Sequence, residues 1–211
     1  MSPSRLRELA QRPLVEPAPL PEPERCDLCG EPLPPEHRHV LDLASGQPEC
    51  ACRACSILFD RGAAGGDHYR LIPERRLRLQ DRAVDARLWA ALGIPVDLAF
   101  VTVADGGTPL ARYPAPVGLI TSAPARDAWA QMTDADPVLA SMEPDVEALL
   151  LNRARGANER WLVPVDDCFR LAAVLREHWT GFQGGDVVWQ EIARFFAALN
   201  EEHDRKEARC R

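Results

Sequence analysis

The sequence predicts an α+β protein in which a small cysteine-rich module precedes a larger domain of antiparallel strands and helices. Two C-x-x-C cysteine pairs lie within residues 25–60. Beyond them, short apolar stretches typical of strands are followed by stretches of helical periodicity. A glycine-rich break, RGAAGGDHYR from Arg61 to Arg70, marks the boundary between the two regions.

The chain begins with a proline-rich segment, residues 1–24, that we expect to be flexible. Residues 13–23 read PLVEPAPLPEP, and so many prolines are incompatible with a helix or a sheet interior. The predicted division of the remaining chain is 25–60 for a four-cysteine metal-knuckle domain, 61–69 for a linker, 70–200 for an α+β domain and 201–211 for a charged tail.

Composition and charge exclude several classes of protein. The 46% hydrophobic and 27% charged residues are typical of globular domains, and no apolar run approaches the ~18 residues that span a bilayer. The N-terminus lacks the apolar stretch of a secretory signal, so we expect a cytoplasmic protein without a membrane span. A net charge of −7 makes nucleic acid an improbable partner.

Arginines nevertheless concentrate in one part of the acidic chain. We expect this cluster to be solvated or paired within the chain, rather than to bind an anionic partner, since acidic residues are interspersed. Its members are Arg70, Arg75, Arg76, Arg78, Arg82 and Arg87.

The strongest signal for chemistry is the pair of cysteine knuckles. Cys26 and Cys29 precede Gly30, and Cys52 and Cys55 follow after 22 intervening residues. Cysteines spaced C-x-x-C on a tight turn can direct both sulfurs at one point, and Gly30 permits the turn to close. An odd total of seven cysteines, strongly clustered, favours a metal site over disulfides.

Between the pairs, the sequence predicts a hairpin that brings them together. His39 to Leu43 is strand-like, and residues 44–47 are turn-like. The expected module is therefore zinc-ribbon-like, or rubredoxin-like. Four thiolates suit zinc, which would be structural, or alternatively mononuclear iron, which would transfer electrons. The second pair, Cys52-Arg53-Ala54-Cys55-Ser56, lacks the proline and glycine of the rubredoxin pattern, and this favours zinc.

Three further residues near the knuckles could bind metal. Cys50 stands two residues before Cys52, but the C-x-x-C spacing favours Cys52 as the ligand and leaves Cys50 as a free thiol. Because four cysteines complete a tetrahedron, we expect His37 and His39 to be exposed strand residues.

The larger domain is predicted from its apolar periodicity and its prolines. The expected strands are 71–79, 96–104, 110–113, 118–121 and 161–165, the last at a sheet edge because of Pro164. The expected helices are 85–92, 124–132, 137–142, 144–152, 166–179 and 187–200. For the helix at 166–179 we expect Asp166 to be the cap.

No catalytic constellation is evident, so we expect the protein not to be an enzyme. Cys168 follows Asp166 in the first turn of a predicted helix, but two aspartates oppose a thiolate there, and His178 lies too far along the helix to reach it. A small buried residue is the better interpretation of Cys168.

Three stretches carry a family resemblance: LASMEPDVEALLLNRARG (139–156), WLVPVDDCFRL (161–171) and residues 179–196. Across roughly residues 24–200 the chain resembles an uncharacterised actinobacterial family. Members of that family tend to be encoded beside the subunits and maturation factors of an oxygen-tolerant nickel–iron hydrogenase. The resemblance implies a protein partner of that kind and an accessory role in hydrogenase assembly or electron transfer.

Together these observations favour a non-catalytic, metal-binding accessory protein that docks on a hydrogenase subunit or its maturation machinery. The alternative is a rubredoxin-like electron carrier with iron bound by Cys26, Cys29, Cys52 and Cys55. A third hypothesis, a nucleic-acid-binding zinc ribbon, is disfavoured by the acidic balance.

Overall fold

A computed structural model describes residues 23–59, 68–79, 86–115, 118–181 and 184–209. Within these ranges the chain forms two antiparallel sheets and six α-helices, which confirms the predicted α+β class. The predicted flexible segment 1–24 and the predicted linker 61–69 lie almost entirely outside the described residues.

The nine strands and six helices alternate irregularly along the chain. The strands are β1 (Arg38–Asp42), β2 (Gln47–Ala51), β3 (Tyr69–Leu71), β4 (Leu77–Arg78), β5 (Leu98–Val103), β6 (Pro109–Ala115), β7 (Gly118–Ser122), β8 (Glu147–Asn152) and β9 (Glu159–Pro164). The helices are α1 (Arg53–Phe59), α2 (Ala86–Leu92), α3 (Arg126–Ala135), α4 (Pro137–Ala140), α5 (Val165–His178) and α6 (Gly185–Arg209).

The small sheet has the strand order β2-β1-β3. Strands β1 and β2 form the predicted hairpin, in register from Arg38 opposite Ala51 to Asp42 opposite Gln47. Gly46 closes its turn with a φ of +68°, a conformation that glycine adopts at little cost. Strand β3 pairs with β1, so this sheet draws a strand from beyond the predicted linker.

The large sheet has six strands in the order β4-β9-β8-β5-β6-β7, all antiparallel to their neighbours. Alternate residues of β8 enter two different cores. Leu149 and Leu151 belong to the core formed with α2, α3 and α4, while Ala148 and Leu150 belong to the core formed with α5 and α6. The domain is therefore a three-layer sandwich with helices on both faces of the sheet.

Strand β8 corrects one prediction of the sequence. Residues 144–152 were expected to form a helix, but Glu147–Asn152 is a central strand with all six residues buried. A strand covered on both faces reads as a continuous apolar run, which is the pattern of a short buried helix too. The expected strand 71–79 is likewise two short strands, β3 and β4, joined by non-regular residues.

Strand β9 is also placed differently from the prediction, because it lies between β8 and β4 and not at an edge. Pro164 is compatible with this position. It pairs with Glu147 of β8, while the register with β4 is confined to Leu162 and Trp161. No backbone N–H is therefore required of Pro164 on the β4 side.

Several clustered arginines are paired within the chain, as the sequence predicts. The closest pairs are Arg75 with Glu147 (2.6 Å), Arg76 with Asp167 (2.5 Å) and Arg70 with Asp145 (3.3 Å). Glu147 and Asp167 are both buried, and such carboxylates require a partner. These arginines therefore hold β3 and the segment between β3 and β4 against the large domain.

The two sheets meet through a small apolar junction. Leu41 of β1 and Ile72 after β3 pack with Val146 and Val165 of the large domain, and all four are buried. At the same junction, Arg70 Nη1 donates to the Pro144 carbonyl at 2.9 Å. The small module is thus held against the first turn of α5 and the start of β8.

Candidate metal centre

Four cysteine sulfurs converge at the end of the small module. Ligand atoms of Cys26, Cys29, Cys52 and Cys55 all lie within 4.8 Å of one another, and the sulfurs of Cys29 and Cys52 are 3.7 Å apart. Four sulfurs bound at about 2.3 Å to one tetrahedral ion would be about 3.8 Å apart. A disulfide requires about 2.05 Å, and the four thiols are free.

The first pair is shaped by a tight turn. The backbone N–H of Cys26 donates to the Glu31 carbonyl, and the N–H of Gly30 donates to the Cys26 carbonyl, both at 2.8 Å. Gly30 has a φ of +77°, in the left-handed region that favours glycine. The turn therefore closes at Gly30, as predicted, and directs both sulfurs to the same side.

The second pair is shaped by a helix start instead of a second tight turn. Cys52 immediately precedes α1, and its carbonyl accepts the N–H of Ser56 at 2.9 Å. The Cys55 backbone N–H donates to the Cys52 sulfur, with nitrogen and sulfur 3.4 Å apart. A side chain that caps the start of a helix makes this kind of hydrogen bond. A helix here is consistent with the missing glycine of the rubredoxin pattern, because Ser56 lies inside α1, where glycine is unfavourable. A zinc-ribbon-like architecture for the module stays a prediction.

The cluster is closed on one side and open on the other. Cys26 and Cys52 are buried together with Leu33, whereas Cys55 is partly buried and Cys29 is exposed. An ion bound here would be shielded by the turn and the β-hairpin, and approachable beside Cys29.

Crowding shifts the pKa values of these thiols in opposite directions. Burial acts to raise the pKa of Cys26, but backbone N–H donors from Cys52, Leu28 and Cys29 outweigh it, and the pKa falls to about 7. Burial and hydrogen bonds with the other cysteines raise the pKa of Cys55 to about 12. For Cys29, the N–H of Glu31 lowers the pKa, but the neighbouring thiols prevail and the pKa is raised.

These pKa directions describe a site in which the Cys26 thiolate forms more readily than those of Cys29 and Cys55. A divalent cation removes this difference, because each metal-bound cysteine is deprotonated. Four sulfur donors suit zinc or iron, and the donor set does not distinguish between the two ions. The four cysteines are therefore close enough, and of the right chemistry, to hold one metal ion.

Cys50 lies outside this cluster, as the sequence predicts, but the histidines differ from expectation. The side chain of His37 is only 7% exposed and that of His39 is 32% exposed, so neither is the exposed strand residue that was predicted. Both lie with Cys50 in a second group of potential ligand atoms, within 4.8 Å of one another. The His-x-His spacing was visible in the sequence, but the pairing of His39 with Cys50 depends on the register of β1 and β2 and was not.

Cys168 has the role that the sequence assigns to it. It is buried in the core between the large sheet and α5 and α6. Burial first, and then Asp167 and Asp166, raise the pKa of its thiol well above the ordinary value. Such a thiol is a poor nucleophile and acts as a small apolar residue. Asp166 itself does not cap α5, because the helix begins at Val165.

Comparison with known proteins places the chain in a family. None of the described helices is long and apolar enough to cross a bilayer. Neither the curated proteins nor the solved structures provide a significant match. One sequence profile, described as a family of unknown function (DUF5947), matches residues 25–203, which include all four cysteines and the large domain. The chain belongs to this DUF5947 family.

Proposed function

We propose that the protein is a cytoplasmic, non-catalytic accessory protein in which Cys26, Cys29, Cys52 and Cys55 hold one zinc ion. The observation that carries the proposal is the convergence of the four sulfurs within 4.8 Å. A zinc ion closed in by four cysteines has no open position and no redox chemistry, so its role is structural. Residues 25–60 would form a zinc-ribbon-like domain, joined to the α+β domain at 61–69.

The surface beside the cluster supports a docking role. Helix α1 begins with the Cys52–Cys55 turn and then presents Ile57 and Leu58, which are 63% and 56% exposed. Two adjacent exposed aliphatic side chains on a structured helix offer apolar surface that a partner protein could cover. Zinc would fix the start of α1 and thereby the orientation of this apolar pair.

The proposed partner is a subunit or maturation factor of a nickel–iron hydrogenase. The support is the resemblance carried by the stretches 139–156, 161–171 and 179–196. A module rigidified by zinc and anchored to a larger domain suits recognition of a partner during assembly.

An iron-containing electron carrier is the second candidate function. Exposure of Cys29 favours it, because a solvent-facing ligand brings a partner close to the metal. Backbone N–H groups directed at the sulfurs of Cys26 and Cys52 are also the groups that tune the potential of iron–thiolate centres.

Metal analysis of the full chain, purified from native cells, tests the site and the ion together. We expect the Cys29→Ser/Cys55→Ser double variant to contain one zinc per chain fewer than the wild type. Unchanged metal content in that double variant would contradict the four-cysteine site. A red protein whose colour is bleached by dithionite would identify the bound ion as iron and support the electron-carrier function.

Affinity purification tests the docking. A tagged chain should co-purify a hydrogenase component, and Ile57→Ser with Leu58→Ser should abolish this. Val187→Ser is the matched control, since Val187 is 54% exposed on α6. Failure of the wild-type chain to retain a hydrogenase component under mild conditions would contradict the partner.

A further inference from the structure

A second set of metal-ligand atoms lies on the hairpin, beside the four-cysteine cluster. We propose that His37, His39 and Cys50 form a separate site for a divalent transition ion, such as Zn²⁺ or Co²⁺, with an open fourth position. One ligand atom from each residue lies within 4.8 Å of the other two. Two imidazoles and one thiolate are a borderline-soft donor set that suits these ions.

The hairpin register explains why the three side chains meet. His39 lies directly opposite Cys50 in the antiparallel pairing of β1 and β2. His37 stands two residues before His39, at the spacing that returns a side chain to the same face of an extended chain. Their rings pack edge to face, with centroids 4.9 Å apart. The hairpin register therefore brings His39 and Cys50 together, and the segment that enters β1 adds His37.

Hydrogen bonds prepare both imidazoles for metal binding. His37 Nδ1 lies 3.0 Å from the Pro34 carbonyl, and His39 Nδ1 lies 2.9 Å from an Asp166 carboxylate oxygen. Since both partners are acceptors, each Nδ1 acts as the donor, and the neutral imidazole then has its lone pair on Nε2. A histidine held in this way by a carbonyl or a carboxylate is the usual arrangement around bound metals.

The Nε2 atom of His37 is itself an indication of a missing ligand. This atom makes no hydrogen bond to any described residue. The His37 side chain is only 7% exposed, so water does not readily take the place of a partner. A carboxylate oxygen of Glu24 lies 3.9 Å from this Nε2, on a side chain that is 72% exposed. An ion would satisfy this nitrogen, and Glu24 or water could approach the open position.

The backbone of Cys50 is fixed by two hydrogen bonds to Asp27. The Cys50 N–H donates to the Asp27 carboxylate at 2.7 Å, and the Asp27 N–H donates to the Cys50 carbonyl at 2.9 Å. Asp27 lies between Cys26 and Cys29, so the second site is tied to the first knuckle. Asp27, Glu24 and Asp166 also surround the site with negative charge that favours a cation.

The two sites differ in what their ions can do. Four cysteines leave no free coordination position, whereas three protein ligands leave one for a solvent or partner atom. The proposed second site is therefore where this protein would exchange a metal-bound ligand with its surroundings.

Titration of the reduced, metal-free full chain with Co²⁺ tests the proposal. We expect two Co²⁺ per chain in wild type and one in His37→Gln, His39→Gln and Cys50→Ser. The Cys29→Ser/Cys55→Ser double variant should also retain one. His178→Gln, on α5 and outside the cluster, is the matched histidine control and should retain two.

The absorption of Co²⁺ bound to four thiolates reports whether each single variant is still folded. Retention of that spectrum, with loss of one Co²⁺, supports the second site. Two Co²⁺ per chain in all three variants would overturn it, and so would loss of both ions together.

Asp166 provides a graded test because it touches His39 and not the ion. Asp166→Asn should weaken the second site about 10- to 100-fold, the usual effect of losing such a positioning residue, with the first site unchanged. Equal affinity in the variant and wild type would contradict the assigned role of Asp166.

Discussion

The small module and the large domain are stabilised in different ways. In the large domain, two apolar cores of fourteen and thirteen buried residues enclose the sheet from both sides. Among the described residues, the cluster at the cysteine end of the module has three buried members, Cys26, Leu33 and Cys52, with Leu28, Cys50 and Cys55 partly buried against them. An apolar core of that size cannot offset the conformational entropy of ordering the module.

The comparison teaches that the module depends on contacts of other kinds. One is the proposed ion, which joins two turns that are distant in sequence. The other is the junction, where Leu41 and Ile72 are buried against the large domain. The large domain should need neither of these to fold. Substitutions and metal removal that should destabilise one region and not the other test this difference.

Removal of metal should have the largest effect, and it should be confined to the module. Structural zinc in small modules contributes about 10–16 kcal/mol of apparent binding free energy, which is coupled to folding. Chelation, or Cys26→Ser with Cys52→Ser, should therefore abolish hydrogen-exchange protection in β1 and β2. The central strands β5 and β8 should stay protected in the same sample. Equal protection of β1 with and without metal would contradict the comparison.

In the large domain, the largest expected effect comes from breaking a buried ion pair. Glu147 is fully buried, and its carboxylate oxygens are 2.6 and 2.8 Å from Arg75 nitrogens. The Arg75 side chain is 36% exposed, so the charge that Glu147→Gln leaves unpaired is partly solvated, and the domain should lose about 1–3 kcal/mol of stability. Chemical denaturation measures the loss. Glu177→Gln, at an exposed position of α5, is the control and should change stability by less than about 0.5 kcal/mol.

Glu147 also shows where sequence reasoning reached its limit. Its strand, EALLLN, contains residues of high helix propensity and follows Pro144, so local pattern favours a helix. Only the tertiary position, with a sheet neighbour on each side and a core on each face, makes it a strand. The partnership of Glu147 with Arg75, 72 residues earlier, is likewise invisible to any local pattern.

The candidate site was more predictable because its signal is local. The spacing within each cysteine pair and the glycine after the first pair sufficed to group Cys26, Cys29, Cys52 and Cys55. The hairpin between the pairs could also be predicted from alternation and a turn. The contribution of Cys50 could not, since its pairing with His39 depends on the exact register of β1 and β2, which a one-residue shift would reverse.

The pH dependence of zinc affinity should depend on the cysteines of the small module and not on Cys168 in the large domain. The pKa of Cys55 is raised to about 12, so its thiol is protonated at neutral pH and must release a proton to bind an ion. Zinc affinity should therefore fall at least about tenfold for each unit by which pH is lowered from neutral. Competition with a chromophoric chelator measures this. The buried thiol of Cys168 should contribute nothing, so Cys168→Ala should leave the pH slope unchanged; a pH-independent affinity would contradict the site.

Gly30→Ala should weaken the module by a conformational effect alone. Gly30 has a φ of +77°, and nothing lies within 4 Å of a Cβ placed there, so the substitution causes no clash. An L-residue in this conformation costs about 1–2 kcal/mol. We expect a corresponding loss of hydrogen-exchange protection in β1 and β2. Gly106→Ala is the control in the large domain, since Gly106 has equal space but no positive φ, and it should be nearly neutral.

The smallest expected effect tests the junction itself. Ile72→Val removes one methylene group from the cluster with Leu41 and Val146, at a cost of about 0.5–1.5 kcal/mol. If docking stabilises the module, exchange in β1 should accelerate while the global unfolding of the large domain stays unchanged. Ile192→Val, on α6 in the core between that helix, α5 and the large sheet, is the reciprocal control and should lower global stability instead. Were Ile72→Val to destabilise both regions equally, the module and the domain would be one cooperative unit, and the ion would stabilise the whole protein.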